Sequence, residues 1–195
     1  SLGSKVVVIG LGIIGQLVCR LAEAQGSEVI GIDPDTKRTD LSTNFYTSVE
    51  EANMTNVDSV IITAATSSNE PIEVATKIAR NKAKIVVVGD IPLNISRNDF
   101  YYKELELVVS KSYGPGRYDK QYEILGKDYP IEYVRWTENR NFEAFIKLLS
   151  QNQIHLLDLV TEEVPFEDAP SIYAKFTQED KPLSIVLRYD NKSEP

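Results

Sequence analysis

KVVVIGLGIIG, residues 5–15, decides the fold of this chain. A short β-branched run at 5–9 leads directly into glycines spaced G-x-G-x-x-G, and apolar residues at helical spacing then continue to Gln25. In such a motif the first glycine permits a tight turn, the second lets backbone approach a pyrophosphate, and the third lets the helix pack on the strand. The stretch therefore predicts a strand, a dinucleotide-binding turn and a helix.

The predicted turn places backbone amides at the positive end of a helix, where an anion is favoured. The alternative is a tight strand-to-helix turn that binds no ligand, but the flanking strand and helix favour the binding interpretation. We predict that the cofactor pyrophosphate contacts the six residues of the turn, which are Gly10, Leu11, Gly12, Ile13, Ile14 and Gly15.

An acidic residue follows at the distance expected for a ribose contact. Asp33 closes the second apolar run (residues 28–32), eighteen residues after Gly15. A carboxylate there accepts hydrogen bonds from the ribose diol and repels a 2′-phosphate, so we predict NAD in preference to NADP. Pro34 and Arg38 are further candidate cofactor contacts, and either Lys37 or Arg38 could cover the adenine or ribose. The alternatives are an ordinary Asp-Pro turn and a solvated surface charge.

Further apolar runs alternate with helical patterns along the first 110 residues. Buried strands are predicted at 57–63, 84–88 and 105–110, and a helix is predicted at 70–81. Strands that are apolar throughout and separated by helices indicate a parallel sheet covered on both faces. The predicted fold class is α/β: a Rossmann doubly wound parallel sheet with helices on both faces.

Small residues follow two of these strands. In a doubly wound sheet the ligand lies beyond the carboxyl ends of the strands, near the switch in strand order. Small side chains there leave room for ribose and nicotinamide, although ordinary loop residues would look the same. The secondary candidates for cofactor contact are Thr63, Ala64, Ala65, Val88, Gly89 and Asp90.

After about residue 110 the regular alternation of apolar strands and helices stops. Residues 113–136 combine glycines, prolines and many tyrosines, which predicts a long structured loop. Helices are predicted at 138–151 and 166–176, and strands at 158–160 and 183–189.

Composition excludes several classes of function. The formal net charge of −8 disfavours nucleic acid and anionic lipid as partners, since both require a basic face. With one cysteine and one histidine, the chain can form no internal disulfide and no zinc site from those ligands. No apolar run reaches the length of a membrane span. These features predict a cytoplasmic protein without a membrane segment.

At this point the sequence resembles the cofactor domain of the medium-chain dehydrogenase family, the relatives of zinc-type alcohol dehydrogenases. The resemblance is carried by the glycine motif, by VDSVIIT (57–63) and KIVVVG (84–89), and by LVTEEVPFEDA (159–169). It implies a domain that positions NAD for hydride transfer to or from a small alcohol, polyol or sugar. It also implies that catalytic residues, and zinc if the protein uses it, come from a GroES-like domain that these residues do not encode.

Three stretches in the middle of the chain resemble one subgroup of this family in particular. GDIPL (89–93), YGPGRYD (113–119) and YVRWT (133–137) look like a subgroup in which this domain is joined to a Gfo/Idh/MocA-type oxidoreductase. The expected organisation is a boundary or cloning remnant at 1–4, the NAD(P)-binding domain at 5–190, and a polar tail at 191–195. Where many relatives have a Thr-His pair this chain has Thr161-Glu162, so no role of that histidine carries over.

Two other functions share parts of this pattern. A regulatory NAD-sensing domain would share the glycine motif, but it should stop near the sheet. A short-chain reductase would need a Tyr-x-x-x-Lys pair, which is missing. No acid–base pair stands out, so the catalytic residues stay unknown. Relatives dimerise through the sheet edge, which suggests a homodimer through residues 105–110. Four side chains are candidates to line the outer cleft, the alternative being a loop packed by its own aromatic rings: Tyr113, Arg117, Tyr118 and Arg135.

Overall fold

A computed structural model describes residues 2–42, 44–177 and 181–189 of the 195-residue chain. The chain separates into two compact units, residues 1–154 and residues 155–195, and each is described by itself. Ser1 and the predicted polar tail at 191–195 lie outside the described residues. Within the described residues no helix has the length and hydropathy that crossing a lipid bilayer requires.

The first unit is built on a sheet of six strands that all run parallel. Their order across the sheet is β3-β2-β1-β4-β5-β6, so the strand order reverses between β1 and β4. This order is the doubly wound arrangement, and the predicted fold class is confirmed. The strands are β1 (Lys5–Ile9), β2 (Glu28–Ile32), β3 (Phe45–Tyr46), β4 (Val57–Ile62), β5 (Ala79–Val87) and β6 (Glu106–Val109).

Within the described part of the first unit, seven α-helices connect and follow these strands. They are α1 (Ile13–Ala24), α2 (Thr36–Thr39), α3 (Val49–Ala52), α4 (Glu70–Ile78), α5 (Arg97–Lys103), α6 (Lys120–Glu123) and α7 (Glu138–Ser150). The predictions of α1, α4 and α7 are confirmed in type, whereas the short elements α2, β3, α3, α5 and α6 were not predicted. The helix predicted to run to residue 81 ends at Ile78, because Ala79 is extended and pairs with Val57 of β4.

The centre of the sheet is buried on both faces, whereas the edge strand β6 is largely exposed. On one face a large cluster includes Val7, Val60 and Ile85 together with Ile72 and Ile78 of α4. On the other face Val6, Val8 and Val29 pack with Leu11 and with Cys19 of α1. Burial raises the pKa of the Cys19 thiol to about 12, so this side chain is a neutral core residue. Because β1 and β2 are covered on both faces, they read as nearly continuous apolar runs.

The second unit contains a parallel pair of strands, β7 (Glu162–Pro165) and β8 (Ile185–Arg188). The predicted strand at 183–189 is confirmed, but the one predicted at 158–160 is wrong. Residues 157–159 form a 3₁₀ turn instead, in which the Leu159 amide donates to the Leu156 carbonyl at 3.0 Å. These residues therefore make hydrogen bonds within a local turn and not the strand pairing that we predicted.

The continuous helix predicted at 166–176 is also wrong in detail. Residues 166–168 form a 3₁₀ turn, α8 (Ala169–Ile172) follows, and a second 3₁₀ segment covers 173–177. Pro170 explains the break at the start, because it has no amide hydrogen to bond the Phe166 carbonyl in an α-helix.

Candidate functional site

The turn between β1 and α1 is shaped by two glycines that contact other backbone. Gly10 has a φ of +96°, and a Cβ added there would lie 2.5 Å from the Ala64 amide nitrogen. A Cβ on Gly15 would lie 1.9 Å from the Gly10 carbonyl oxygen, inside any allowed contact distance. Both positions thus require glycine for close packing, as the sequence motif predicts.

Gly12 is the one glycine of this turn that faces open space. A Cβ added at this residue would meet no heavy atom within 4 Å, and its φ of −62° suits any residue. Packing within the chain therefore gives no reason for glycine here. The free volume beside it is where a ligand could approach the backbone.

The first turn of α1 offers hydrogen-bond donors at that place. Gly12 is the N-cap and has no side chain to cap the helix, and the first turn contains no acidic residue. Among the described residues, none accepts a hydrogen bond from the amides of Ile13 and Ile14. Unsatisfied amides at the positive end of a twelve-residue helix favour an anion such as a pyrophosphate.

Asp33 lies beside this turn at the end of β2 and is only 4% exposed. Its Oδ2 accepts a hydrogen bond from the Leu11 amide at 2.7 Å, and its Oδ1 accepts one from the Asp35 amide at 2.9 Å. The carboxylate therefore fixes the glycine turn to the loop after β2. The sequence spacing pointed to the ribose contact and did not reveal this second, structural role.

Arg38 covers the same carboxylate from the solvent side. Its Nη1 lies 3.3 Å from Oδ2 of Asp33, and its Nε lies 3.3 Å from Oδ2 of Asp35. The Arg38 side chain is 28% exposed, and Pro34 beside it is exposed. A ribose that reaches Asp33 would thus also meet the Arg38 guanidinium.

Gln16 belongs to this corner and was missed by the sequence analysis. It is 1% exposed, and its Nε2 donates to the carbonyls of Leu11 at 3.4 Å and Arg38 at 3.3 Å. Its Oε1 is buried and has no partner among the described residues. The only available signal was a polar residue three positions before Cys19, on the face of α1 that packs against the sheet.

The end of β4 is tied to the glycine turn. The hydroxyl of Thr63 donates to the Gly10 carbonyl at 2.5 Å, and the Ala64 amide donates to the Ile9 carbonyl at 3.0 Å. Ala65 follows and is exposed. Thr63 thus braces the turn, whereas Ala65 lies where the chain leaves the sheet.

The end of β5 lies against the end of β4. A Cβ added to Gly89 would lie 1.9 Å from the Ala64 carbonyl oxygen, so only glycine allows the two segments to approach this closely. The Thr66 amide donates to the Asp90 carbonyl at 3.0 Å, and Val88 is 37% exposed.

The structure brings all of the predicted contact residues to one edge of the sheet, at the carboxyl ends of β1, β2, β4 and β5. Their individual contacts with a cofactor stay a prediction. Among the described residues no three His, Cys, Asp or Glu side chains are close enough to hold a metal ion. Arg135 stacks on Trp136, with its guanidinium carbon 4.3 Å from the ring centroid.

Comparison with protein families matches residues 2–100, or 99 of the 195 residues, to the D-isomer specific 2-hydroxyacid dehydrogenase, NAD binding domain. A relative in Pseudoalteromonas atlantica, a 2-dehydro-3-deoxy-L-galactonate 5-dehydrogenase, is 24% identical over 187 residues, which are 88% of this chain and 47% of the relative. The chain therefore spans about half the length of this relative.

Solved structures share the fold across nearly all of the chain. Galactitol-1-phosphate dehydrogenase from Escherichia coli superposes with a TM-score of 0.71 at 20% identity, covering 95% of this chain and 54% of the enzyme. A short chain alcohol dehydrogenase from E. coli CFT073, complexed with NADH, gives a TM-score of 0.69 at 18% identity, covering 96% and 51%. The predicted resemblance to the cofactor domains of alcohol, polyol and sugar dehydrogenases is confirmed.

Proposed function

The chain belongs to the family described as the NAD-binding domain of D-isomer specific 2-hydroxyacid dehydrogenases, and we propose that it positions NAD for hydride transfer in a larger dehydrogenase that acts on an alcohol, polyol or sugar. One observation carries the proposal: the amides at the start of α1 are unpaired beside the open space at Gly12, with the Asp33 carboxylate next to them. Donors for a pyrophosphate and an acceptor for a ribose thus lie side by side.

Each part of this edge has a separate role in the proposal. The amides of Ile13 and Ile14 bind the pyrophosphate, and the absence of a Cβ at Gly12 allows the close approach. The small residues at the ends of β4 and β5, from Thr63 to Ala65 and from Val88 to Asp90, border the ribose and nicotinamide. When bound, the nicotinamide ring supplies the carbon that gives or accepts the hydride.

The charges near the ribose support NAD as the preferred cofactor. Asp33, Asp35 and Arg38 contact one another, so two carboxylates and one guanidinium leave this group with a net charge of −1. A 2′-phosphate would bring further negative charge to a carboxylate that is 4% exposed. We therefore propose that NADP binds more weakly than NAD.

We propose that the catalytic residues, and zinc if the whole protein uses it, come from a part of the protein beyond this chain. The chain spans 47% of the 2-dehydro-3-deoxy-L-galactonate 5-dehydrogenase that it matches, which leaves room for a catalytic domain. The name of that relative supports a sugar-derived substrate. A single cysteine and a redox cofactor suit a cytoplasmic protein.

A homodimer through β6 is a further part of the proposal. This strand is the last in the sheet order, so one side of its backbone has no neighbouring strand in the sheet. Val108 and Val109 are 37% and 60% exposed. An open edge with exposed valines favours pairing with a second copy. Val109→Lys should convert a dimer to a monomer in sedimentation velocity, and a monomer before the substitution would contradict the idea.

Binding of NADH by a Gly12→Val variant tests the main proposal. Because a side chain at residue 12 points into open space, the variant should fold normally, yet its Cβ and methyl groups would occupy the place of the pyrophosphate. We expect the Kd for NADH, measured by fluorescence titration, to rise at least about tenfold.

The matched control is Ala24→Val, an exposed position at the other end of the same helix. Its Kd should equal that of the unchanged chain. Equal binding of NADH by the Gly12→Val variant, or no NADH binding by the unchanged chain, would contradict the proposed site.

A further inference from the structure

A second site lies beyond β6, in the segment that the sequence predicted to be a structured loop. Residues 110–119 turn back at Gly114 and Gly116, whose φ angles are +98° and +111°. Together with Val108, Val109, Tyr129 and Asn141 they line an open cavity of about 660 Å³. This volume falls within the range of ordinary small-molecule pockets.

The position of this cavity relates it to the cofactor edge. All six strands are parallel, so the carboxyl end of β6 lies on the same edge of the sheet as the glycine turn. Three strand spacings separate β1 from β6, or roughly 14 Å. Asp33 follows β2, on one side of β1, whereas β6 lies on the other side. A cofactor whose pyrophosphate binds at α1 and whose adenosine ribose binds at Asp33 would therefore direct its nicotinamide toward β6.

Arg117 is held at the cavity by three neighbours. Its Nη1 donates to Oε1 of Glu123 at 2.6 Å, and its guanidinium carbon lies 4.4 Å from the ring centroid of Tyr118 and 5.4 Å from that of Tyr113. The Glu123 contact raises the pKa of Arg117, so the group stays charged. One carboxylate contact and two ring contacts fix the guanidinium and leave other N–H donors of its fork unused.

Lys111 supplies a second cation to the same cavity. Its Nζ lies 5.4 Å from the Tyr118 ring centroid, and within the described residues it has no carboxylate partner. Lys111 and Arg117 therefore approach the same tyrosine ring, and of these two cations Lys111 is the one that no described carboxylate pairs.

Among the described residues that line the cavity, one is a carboxylate, Asp119, and its oxygens already accept hydrogen bonds. Asp119 accepts hydrogen bonds from the Tyr129 hydroxyl and from the Gln121 amide, the latter at 2.9 Å. The tyrosine bond is the main cause that lowers the pKa of Asp119. Asp119 therefore stays ionised, but Tyr129 and Gln121 engage its two oxygens, and within the described residues no ion pair joins it to Lys111, so the Lys111 ammonium remains available to an anion.

The remaining wall suits the rest of a polyhydroxy molecule. Tyr113 and Tyr118 are 51% and 65% exposed and present flat rings. The Asn141 Nδ2 donates to the Tyr113 carbonyl at 2.9 Å, which leaves its amide oxygen to accept a bond from a hydroxyl. Ring faces and a fixed amide beside two cations fit a ligand that is a sugar at one end and an anion at the other.

We propose that this cavity, which we call the Tyr–Arg pocket and define by Lys111, Tyr113, Arg117, Tyr118 and Asn141, binds an oxyanion on a polyhydroxy substrate. The inference rests on the proposed function, because the pocket would bind the end of the substrate that is remote from the carbon exchanging the hydride. The oxyanion is the carboxylate of a sugar acid or the phosphate of a sugar phosphate, and Lys111 and Arg117 bind either one.

The test uses three probes that differ in charge: D-gluconate, D-sorbitol 6-phosphate and neutral D-sorbitol. Each is titrated into the ¹⁵N-labelled chain at constant ionic strength, and the amide signals of residues 110–119 are followed by NMR. At least one anionic probe should bind about tenfold more tightly than sorbitol, since a charge-assisted bond is worth about 1.5 kcal/mol. The tighter of the two identifies the carboxylate or the phosphate as the source.

Two substitutions assign the binding to this pocket. Lys111→Met should raise the Kd of the tighter anionic probe about tenfold, whereas Lys127→Met, an exposed lysine of the same segment, should leave it unchanged. Arg117→Lys keeps the charge but loses the planar fork, and should raise the Kd about threefold. Equal Kd values for the anions and sorbitol, or equal losses in the Lys111→Met and Lys127→Met variants, would overturn the proposal.

NADH binding is measured on the same samples, so failure of the two proposals can be told apart. If NADH binds and the anions do not, the pocket is wrong while the proposed function stands. If the anions bind in the Lys111-dependent way and NADH does not, the oxyanion site is supported and the proposed function fails.

Discussion

The cofactor edge and the Tyr–Arg segment (residues 110–141) are built by different means. At the cofactor edge, glycines let backbone approach backbone, as where Gly15 meets the Gly10 carbonyl and Gly89 meets the Ala64 carbonyl. In the Tyr–Arg segment, side chains make the contacts, as in the Tyr122–Tyr129 stack at 5.7 Å. Where backbone packs against backbone, almost any substitution of the glycine causes a clash. Where side chains make the contacts, a substitution removes only the contacts of that one side chain.

The largest effect should come from Gly15→Ala. An added Cβ would lie 1.9 Å from a backbone oxygen, so the first turn of α1 must move away from β1. Helix propensity alone would stabilise the variant by about 0.5–1 kcal/mol, but we expect a loss of about 3 kcal/mol or more in the free energy of unfolding. Urea denaturation measures it.

Gly12→Ala is the matched control for this prediction. Its Cβ meets nothing within 4 Å, and the stability should change by less than about 1 kcal/mol. If both variants lose the same free energy, close backbone packing is not what distinguishes the two glycines.

Arg140→Met in the Tyr–Arg segment should lower the free energy of unfolding by less than Gly15→Ala does. The Arg140 guanidinium is largely buried and bonds the Val134 carbonyl, the Tyr129 carbonyl at 2.8 Å and the Asp128 carboxylate at 2.5 Å. Removing these bonds should cost about 2 kcal/mol and should speed amide hydrogen exchange mainly within residues 128–140. Arg135→Met, an exposed arginine of the same segment, should change neither. Faster exchange throughout the sheet would contradict the separation of the two regions.

Asp33→Asn should alter the cofactor preference with a modest effect on folding. The amide can still accept one of the two backbone hydrogen bonds, but it loses the charge that opposes a 2′-phosphate. We expect the ratio of the Kd for NADPH to the Kd for NADH to fall about tenfold, as measured by fluorescence titration.

Asp35→Asn is the control for the cofactor prediction, because it removes the other carboxylate bound to Arg38 but lies at an exposed position. It should change the ratio less. An unchanged ratio in the Asp33→Asn variant would remove the selective role of this residue.

The smallest predicted effect is a shift in the pH at which residues 119–129 lose their ordered structure. The Tyr129 hydroxyl lowers the pKa of Asp119 in the folded chain, so the stability from this pair is present above the unfolded pKa of Asp119 and is lost as pH falls through the lower folded pKa. Tyr129→Phe should shift the loss of order in residues 119–129, followed by NMR, to slightly higher pH. Tyr133→Phe, an exposed residue, should not. An equal shift in both variants would remove this assignment.

Much of the cofactor edge could be predicted because its signals are local. The three glycines, the apolar run before them and the acid at the end of the next strand lie within 33 residues. Short elements such as α2 and β3 gave no such signal, because two to four residues carry too little periodicity. The helix expected over residues 166–176 is divided on both sides of α8, and Pro170 accounts for the first of these divisions, which the pattern of apolar residues obscured.

The sequence by itself determined the doubly wound sheet, the glycine turn and the kind of cofactor domain, since strand and helix periodicity and glycine spacing act over a few residues. Only the tertiary structure decided that Asp33 also holds the Leu11 amide, that Gln16 bridges two loops, and that Lys111 and Arg117 share a pocket. These contacts depend on how segments meet after the chain has folded, and no local pattern encodes that meeting.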